Sequence, residues 1–456
     1  MFFLRKKNKP IIIPRSDHTL SRRDIDPDAL KVLYRLASLN HAAYLVGGSV
    51  RDLLLGRKPK DFDVGTDARP REIKSIFKNC FLVGKRFRLA HIVFGKKVIE
   101  TATFRKAPAQ DAVQDEHGLY QYEDNTFGTP QEDALRRDFT VNGLFYDIKT
   151  FSIIDYVGGL KDLKSKTIRS IGDPSIRFRE DPVRMMRAVR FAAKLGFDIC
   201  SADIKAIRKY AGDLGNASLS RLCEEIQRLF VHQATERSLR LAYEYGLLAV
   251  LLPSLHQWLS EKPENCEAVW QALHALDQTA AKQDVSNAVA FAMLFYPMVT
   301  ETVEQLRAKT PTGKRFNVFH ARRLAAEKVL TPIVKHYRFP RALWMTAIDI
   351  LELTDRLTRK PDPASARDIR FINHGIFPEI LQGAEVFKTL FPSRTWQIEV
   401  WQALYQKAGP IARQKRDEDF VPPANPHTRK ARRRHTKRRR KNHAPSAQQQ
   451  QPTPSA

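Results

Sequence analysis

The sequence predicts an α/β head built on a small mixed sheet, followed by an all-α neck and body and a disordered basic tail. Short apolar runs separated by glycines and polar turns fill the segment from about 24 to 170, which is typical of strands interleaved with helices. Beyond Pro182, helical periodicity dominates to about Ala408. After Pro422-Pro423 the chain is mainly Arg and Lys and then Gln, Pro, Ser and Ala, so it lacks the apolar residues that a folded core needs.

These changes in composition divide the chain into five regions. They are a basic leader at 1–23, the α/β head at 24–170, a helical neck at 171–240, a helical body at 241–415 and the disordered basic tail at 416–456. A helix is expected to start near Asp26-Pro27-Asp28, where an acidic cap precedes a proline. Strands are expected at 42–46, 62–64, 80–83, 91–94 and 98–104, with a hairpin at Gly95-Lys96-Lys97.

The charge balance of the chain is strongly positive. Its 456 residues carry a formal net charge of +27. Ten Lys and Arg residues lie between Arg429 and Lys441, and subtracting these ten leaves +17 for the rest of the chain. Because the excess is not confined to the tail, it favours a polyanionic partner, above all nucleic acid.

The cysteines and apolar segments bear on where the protein works. The four cysteines, at 80, 200, 223 and 266, lack the paired spacing of a zinc site or a disulfide framework. No stretch approaches the roughly 20 apolar residues of a membrane span, and the N-terminal segment lacks the pattern of a signal peptide. We therefore expect a cytoplasmic location and no membrane partner.

The first chemical motif lies in the segment 46–51, with the sequence VGGSVR. Adjacent glycines after a strand let the backbone approach a phosphate closely, and the start of the following helix presents unpaired N–H groups. Arg51 lies one turn into that helix and can reach the same anion. A simple tight turn also uses paired glycines, so the prediction of phosphate binding at Gly47 and Gly48 depends on the residues that follow.

Two carboxylates, Asp61 and Asp63, come shortly after the glycine pair. In a strand, residues i and i+2 project from one face, so we expect both carboxylates to point the same way while Phe62 enters the core. Two like charges this close repel each other, and a divalent cation between them relieves the repulsion. Oxygen ligands with few protein donors suit Mg²⁺, which keeps water and substrate phosphates in its coordination shell. The sequence therefore predicts a magnesium site here.

Phosphoryl and nucleotidyl transfer usually involve a third carboxylate near the metal. Glu100 is one candidate, because it stands alone in an apolar strand at 98–102 without an evident partner. Asp138 is the other, in the segment RRDFTVN, where Arg136 and Arg137 suit phosphate or ribose. Asp138 could equally belong to a structural ion pair, so the sequence leaves the choice open.

A further cluster of charges lies in the segment 180–190, EDPVRMMRAVR. Pro182 marks a helix start, and Asp181, Arg184 and Arg187 fall on neighbouring sides of its first turns. A carboxylate beside a guanidinium offers an acceptor and donors to the edge of a base, while another arginine can hold phosphate. A solvated, charged helix end would have the same composition.

Together, GGSVRDLLLG, DFDVGT, RRDFTVN and EDPVRMMRAVRFAAKLGF resemble the motifs of the bacterial nucleotidyltransferases that extend RNA 3′ ends. That superfamily joins the tRNA CCA-adding enzymes to the bacterial poly(A) polymerases. The motifs span residues 44–197 in the family's order and spacing. The resemblance implies a nucleotidyltransferase head, an RNA-binding helical body, and template-independent addition of AMP from ATP to RNA 3′-OH ends, which promotes RNA decay.

The resemblance also implies roles for single positions. Asp181 with Arg184 matches the pair that reads the incoming base in CCA-adding relatives, and two Mg²⁺ ions are implied. Glu100 rests on its strand position only. The remaining assignments are triphosphate binding by Gly48 and Arg51, nucleotide contacts by Arg137, Arg184 and Arg187, metal binding by Asp61 and Asp63, and a catalytic role for Asp138. Gly47 is expected at the triphosphate from its place in the glycine turn.

The segment 82–92, LVGKRFRLAHI, resembles a signature of the poly(A) polymerase branch, with Arg86 and Arg88 expected on one strand face near the nucleotide. The basic tail is also similar to that branch. One alternative is a tRNA CCA-adding enzyme, which would use CTP and stop after three additions. Another, of a different class, is a non-catalytic RNA-binding protein that has retained the fold. The expected partners are ATP, RNA 3′ ends with little sequence preference, and RNA-decay proteins.

Overall fold

The computed structural model describes residues 9–84, 89–106, 113–114, 120–121, 127–230 and 233–410. The predicted tail at 416–456 and the predicted nucleotide-side arginines Arg86 and Arg88 lie outside these residues. The strands are β1 Ile11–Ile13, β2 Ala43–Val46, β3 Asp63–Thr66, β4 Cys80–Val83, β5 Leu89–Phe94, β6 Lys97–Thr103, β7 Val113–Gln114, β8 Tyr120–Gln121, β9 Leu144–Asp147, β10 Ile153–Asp155, β11 Thr167–Ile168 and β12 Asp198–Ile199.

Helices alternate with these strands at first and then replace them. They are α1 Pro27–Ser38, α2 Gly48–Leu54, α3 Pro70–Ile76, α4 Pro130–Arg136, α5 Gly159–Lys164, α6 Pro174–Glu180, α7 Val183–Leu195, α8 Ser201–Tyr210, α9 Leu219–Leu229, α10 Thr235–Glu244, α11 Leu247–Leu251, α12 Pro253–Glu261, α13 Pro263–Ala280, α14 Asn287–Ala308, α15 Val318–Tyr337, α16 Arg341–Leu353, α17 Ala366–Ile372, α18 Phe377–Leu390 and α19 Ile398–Ala408.

The head is built on a mixed sheet of eight strands in the order β1-β10-β9-β2-β3-β6-β5-β4. Only β3 and β6 run parallel, and all other neighbours are antiparallel. The predicted mixed sheet is therefore confirmed, but it is larger than expected. Residues 11–13 of the predicted leader pair with β10 as an edge strand, since three isoleucines suit an extended backbone.

The sheet buries one face beneath helices. The helix α1 begins where the sequence predicted, with Asp26 accepting a hydrogen bond from the Asp28 N–H. It packs against β2, β3 and β6, while α3 packs against β4 and β5. Burial alternates along β6, where Ile99 and Thr101 are buried and Val98 and Glu100 are exposed.

The register of the central strands positions the site. Val46, the last residue of β2, pairs with Asp63, the first residue of β3. The glycine turn after β2 and the carboxylates before and at the start of β3 therefore lie next to each other, where β2 ends and β3 begins. Within the described residues, no helix is both long and apolar enough to cross a membrane.

The predicted change to helices after residue 182 is confirmed. Helix α7 is buried along most of its length and ends at Gly196, whose φ of 72° closes the last turn in a left-handed conformation. A short parallel pairing of β11 with β12 is the one exception in this part of the described chain. Most of the tryptophans from 258 onward are buried in the helical layers, as expected for core aromatics.

The described chain forms two compact units. One comprises 9–358 with 378–396, and the other comprises 359–377 with 397–410. The second unit has its own aromatic core, in which the Phe371 ring lies 5.2 Å from Phe377 and 5.3 Å from Trp401. The region boundaries at 170, 240 and 415 remain predictions of the sequence.

Candidate active site

One open cleft of about 850 Å³ in the first unit collects all eleven residues that the sequence analysis selected. They come from the head sheet and its turns on one side and from the start of α7 on the other. Arg136, which the sequence offered beside Arg137, also lines the cleft, as do five cations that were not selected from the sequence: Lys60, Arg190, Lys194, Arg221 and Arg228. The helical spacing of Arg187, Arg190 and Lys194 along α7 was a signal that could have found part of this set.

The glycine pair is used in two different ways. Gly47 has φ 71°, and a Cβ there would lie 2.8 Å from Nη1 of Arg137. The backbone conformation at this position therefore requires glycine whether or not a ligand is bound. Gly48 begins α2, and a Cβ there would meet only the Arg51 guanidinium at ordinary contact distance, 3.5 Å. The small size of Gly48 keeps the cleft open rather than permitting the turn.

The guanidinium of Arg51 is held in place below this turn. The side chain is only 3% exposed. Its Nη1 donates to Oδ1 of Asn142 at 2.5 Å, and its Nε donates to Oδ1 of Asp52 at 2.8 Å. Arg51 thus presents a fixed positive charge to the cleft beside the glycine turn.

The carboxylate pair differs in part from the prediction. Asp63 begins β3, but Asp61 precedes the strand and is exposed, and Phe62 is half-buried instead of lying in the core. The reason is that β2 turns away after Val46, so β3 has no antiparallel partner before Asp63. The expectation of a shared strand face is therefore wrong for Asp61, although both side chains line the cleft.

Negative charge accumulates around Asp63. Burial, followed by the charges of Glu100 and Asp61, raises the pKa of Asp63 to about 6, against the opposing effect of Arg137. Glu100 lies beside Asp63 on the neighbouring strand and is half exposed. On the next strand, Nε2 of His91 lies 3.8 Å from Oε1 of Glu100. Three carboxylates with this little compensation fit a divalent cation.

The described residues do not by themselves complete a metal shell. Within that part of the chain, no group of three or more His, Cys, Asp or Glu side chains is arranged to hold an ion. Mg²⁺ tolerates such a site because it keeps several waters and binds substrate phosphates alongside one or two carboxylates. The donor set therefore fits Mg²⁺ acting together with a bound polyphosphate.

Asp138 forms the ion pair that the sequence left open as an alternative. Its Oδ2 accepts hydrogen bonds from Nε and Nη2 of Arg187 at 3.0 and 2.7 Å. Its Oδ1 accepts from the Phe139 N–H at 2.8 Å and from Nδ2 of Asn142 at 3.1 Å. Burial alone would raise the pKa of Asp138, but Arg187 and these donors hold it at about 2. Both oxygens are already engaged.

The pair predicted to read the base lies at the junction between α6 and α7. Oδ2 of Asp181 accepts from Nη2 of Arg221 at 2.8 Å, whereas its Oδ1 is buried without a partner among the described groups. Nη1 of Arg184 donates to Oε2 of Glu180 and to the Arg177 carbonyl, both at 3.0 Å. The cleft therefore contains an acceptor in need of a donor, next to an oriented guanidinium.

A chain of ion pairs joins α9 to the head through α7. Buried Glu225 on α9 accepts from Nε of Arg190 at 3.1 Å and lies 3.6 Å from Nη1 of Arg187. Arg187 continues to Asp138, and Asp138 continues through Asn142 to Arg51. The arginine at the phosphate end of the cleft is thereby connected to a helix 170 residues later in the chain.

Comparisons with known proteins agree with this geometry. The family model described as the poly A polymerase head domain matches residues 43–169, and the model described as a probable RNA- and SrmB-binding site of polymerase A matches 196–259. Poly(A) polymerase I of Escherichia coli O6:H1 is 41% identical over 357 residues, covering 76% of each chain. The chain belongs to the poly(A) polymerase family. As a member, it is a polynucleotide adenylyltransferase.

The chain is also similar to a further poly(A) polymerase and to CCA-adding enzymes. Poly(A) polymerase I of Haemophilus influenzae is 38% identical over 361 residues, covering 75% of this chain and 78% of that protein. The CCA-adding enzyme of Bacillus pumilus is 37% identical over 221 residues, covering 46% and 52%. The solved CCA-adding enzyme of Bacillus stearothermophilus with CTP has a TM-score of 0.60 at 25% identity, covering 84% of this chain and 82% of that one.

Proposed function

We propose that the chain transfers AMP from ATP to the 3′-OH of RNA without a template and releases pyrophosphate. The observation that carries this proposal is the pairing of Val46 with Asp63, which brings the glycine turn and the carboxylates next to each other. The 41% identity to a poly(A) polymerase over most of the chain supports adenylate as the transferred group.

The triphosphate binds at the turn formed by Gly47 and Gly48. Arg51 contributes a fixed guanidinium there, and Arg137, which lies against Gly47, contributes a second one. Because both arginines are held by protein acceptors, they need little reorganisation when phosphate arrives. Arg187 adds positive charge from the α7 side of the cleft.

The base of the nucleotide binds at Asp181 and Arg184. The unpaired Oδ1 of Asp181 accepts a hydrogen bond from the exocyclic amino group of the base, and Arg184 donates to a ring acceptor. Cytosine also carries an exocyclic amino group, so this pair alone does not separate ATP from CTP. The rigid contacts of Arg184 with Glu180 and the Arg177 carbonyl would set the pocket's shape.

Asp61 and Asp63 would hold Mg²⁺, and Glu100 is the third carboxylate, beside Asp63. When bound, two such ions would lower the pKa of the RNA 3′-OH and neutralise the leaving pyrophosphate. Asp138 orients Arg187 and Asn142, because both of its oxygens already accept hydrogen bonds from them and from the backbone. Its role in the reaction is therefore to position its neighbours.

RNA is held mainly through its phosphates. The cleft and the chain as a whole are cationic, which suits binding with little sequence preference. A cytoplasmic location is part of this proposal, and four scattered cysteines without disulfides suit a reducing compartment. Association with RNA-decay proteins is a prediction of the sequence alone.

A CCA-adding activity is the second candidate, favoured by the similarity to the Bacillus enzymes. Purified protein incubated with a generic RNA or with tRNA and each nucleoside triphosphate separately distinguishes the two. We expect long tails with ATP on both RNAs and little use of CTP. Efficient CTP use on tRNA followed by arrest after three additions would establish the alternative instead.

A further inference from the structure

We propose that the RNA primer lies on the open face of β6, β5 and β4, where Phe81 stacks on a base upstream of the 3′ end. The inference rests on the function proposed above and specifies where its second substrate binds. It concerns the part of the sheet next to the carboxylates, on the opposite side of β3 from β2.

A row of four side chains crosses the strands from the carboxylates to the sheet edge. Val64 pairs with Thr101, which sets Asp63 beside Glu100. Glu100 pairs with His91, and His91 pairs with Phe81. Directly paired residues project from the same face of a sheet. Asp63, Glu100, His91 and Phe81 therefore form one continuous row.

The face that carries this row is open. Phe81 is 61% exposed, and Val83 and Val98 on the same face are also exposed. The alternate residues, such as Cys80 and Ile99, are buried on the opposite face. Phe81 therefore presents its aromatic ring to solvent on the face that also carries Glu100.

The position of the row favours RNA as its occupant. The glycine turn that suits a triphosphate follows β2, on one side of Asp63, and the row runs from Asp63 toward β4 on the other side. The 3′-OH must reach the same carboxylates from another side, and the row leads directly to them. Aromatic side chains on an open sheet stack with bases irrespective of their identity. This tolerance suits an enzyme that must extend a 3′ end of any sequence.

The dimensions of the row set which nucleotide meets Phe81. Neighbouring strands are about 4.8 Å apart, so Phe81 lies about 14 Å from Asp63 along the row. A stacked strand advances about 3.4 Å per nucleotide and an extended one about twice that. The row therefore accommodates two to four nucleotides, and Phe81 meets a base at that distance from the 3′ end.

The test compares Phe81→Ala and Phe81→Trp with the wild-type chain, using oligo(A) primers of two to eight nucleotides. We expect Phe81→Ala to raise KM for primers of five or more nucleotides about tenfold. KM for a dinucleotide primer and KM for ATP should not change, and Trp should restore the wild-type value. Tyr34→Ala, an exposed aromatic on α1, is the matched control and should have no effect.

A primer KM that is unchanged in Phe81→Ala, or raised equally for the dinucleotide, would overturn the proposal. So would a change of oligomeric state in sedimentation with unchanged KM, because the face would then be a contact between copies of the chain. Anisotropy titration of labelled oligo(A) without ATP measures the affinity for RNA independently of catalysis. If wild-type protein adds no AMP, the proposed function fails, while this titration still decides the role of Phe81.

Discussion

Asp63 is the residue at which burial and chemistry are most clearly in conflict. It lies at the start of a buried strand beside Glu100 and Asp61, and its pKa of about 6 reflects that accumulation of negative charge. A cation relieves such a conflict without any movement of the chain. The metal-free protein should therefore carry a measurable electrostatic strain at this position.

Replacing Asp63 with Asn should stabilise the metal-free protein at pH 8. A carboxylate whose folded pKa is raised contributes stability only while it is protonated, below its unfolded pKa near 4, and loses that contribution as the pH rises through about 6. Thermal unfolding in chelator should show a higher Tm for Asp63→Asn at pH 8 and no difference at pH 4. Asp198→Asn, at an exposed carboxylate, is the control. Equal Tm values at pH 8 would contradict the proposed strain.

Arg187 should be required for stability as well as for nucleotide binding. Arg187→Met leaves the carboxylate of Asp138 buried with its main positive partner removed, which should lower the free energy of unfolding by about 3 kcal/mol. Adding Asp138→Asn to that variant should recover part of the loss. Urea unfolding of the two single variants and the double variant measures this coupling. Strictly additive losses would mean that the pair is not coupled.

The site residues also show which contacts could be predicted from the sequence. Gly47, Asp61 and Asp63 could be selected because their chemistry lies within a short segment. The contact of Asp138 with Arg187 joins residues 49 positions apart. The contacts of Glu225 join α9 to α7 in the same way. No local pattern encodes such pairings, so the sequence could offer the ion pair only as one of two alternatives.

At the level of elements, the two glycines of the turn between β2 and α2 have different roles, one in the fold and one in the proposed binding of phosphate. Gly47 has a positive φ, and a Cβ there would displace the Arg137 guanidinium, while Gly48 has ordinary room for one. The two neighbouring glycines should therefore respond differently to the same substitution.

Gly47→Ala should destabilise the protein by about 1–3 kcal/mol, because a non-glycine residue is strained in this conformation. Gly48→Ala should leave stability unchanged or slightly improved, since alanine favours helix over glycine, but should raise KM for ATP. Urea unfolding and steady-state kinetics measure the two effects. A Gly48→Ala variant with unchanged KM for ATP would argue against phosphate binding at this turn.

The sheet shows which elements a sequence reveals. Strands β2, β4, β5 and β6 were predicted with boundaries close to those observed, because each is a short apolar run beside a turn. Strands β1, β9 and β10 were not predicted as part of the sheet. Their partners are remote in the chain, with residues 11–13 paired to residues 153–155, so their extended form depends on the assembled sheet.

At the level of the whole molecule, charge should dominate RNA binding. Each phosphate contact that a Lys or Arg makes releases counterions, so affinity should fall steeply with salt concentration. Removing residues 411–456, which include the ten cations between Arg429 and Lys441, should weaken RNA binding and reduce the slope of log Kd against log salt. KM for ATP should not change. A truncated chain with the full salt slope would place the RNA contacts entirely in the described part.

AMP incorporation into a generic RNA by the wild-type chain and by the Asp61→Ala/Asp63→Ala variant tests most directly whether these two aspartates are the centre of the reaction, with circular dichroism as the check on folding. We expect long tails from ATP and Mg²⁺ with the wild-type chain and none with the folded double variant. Full tailing by that variant would contradict the assignment of the two aspartates as the centre of the reaction.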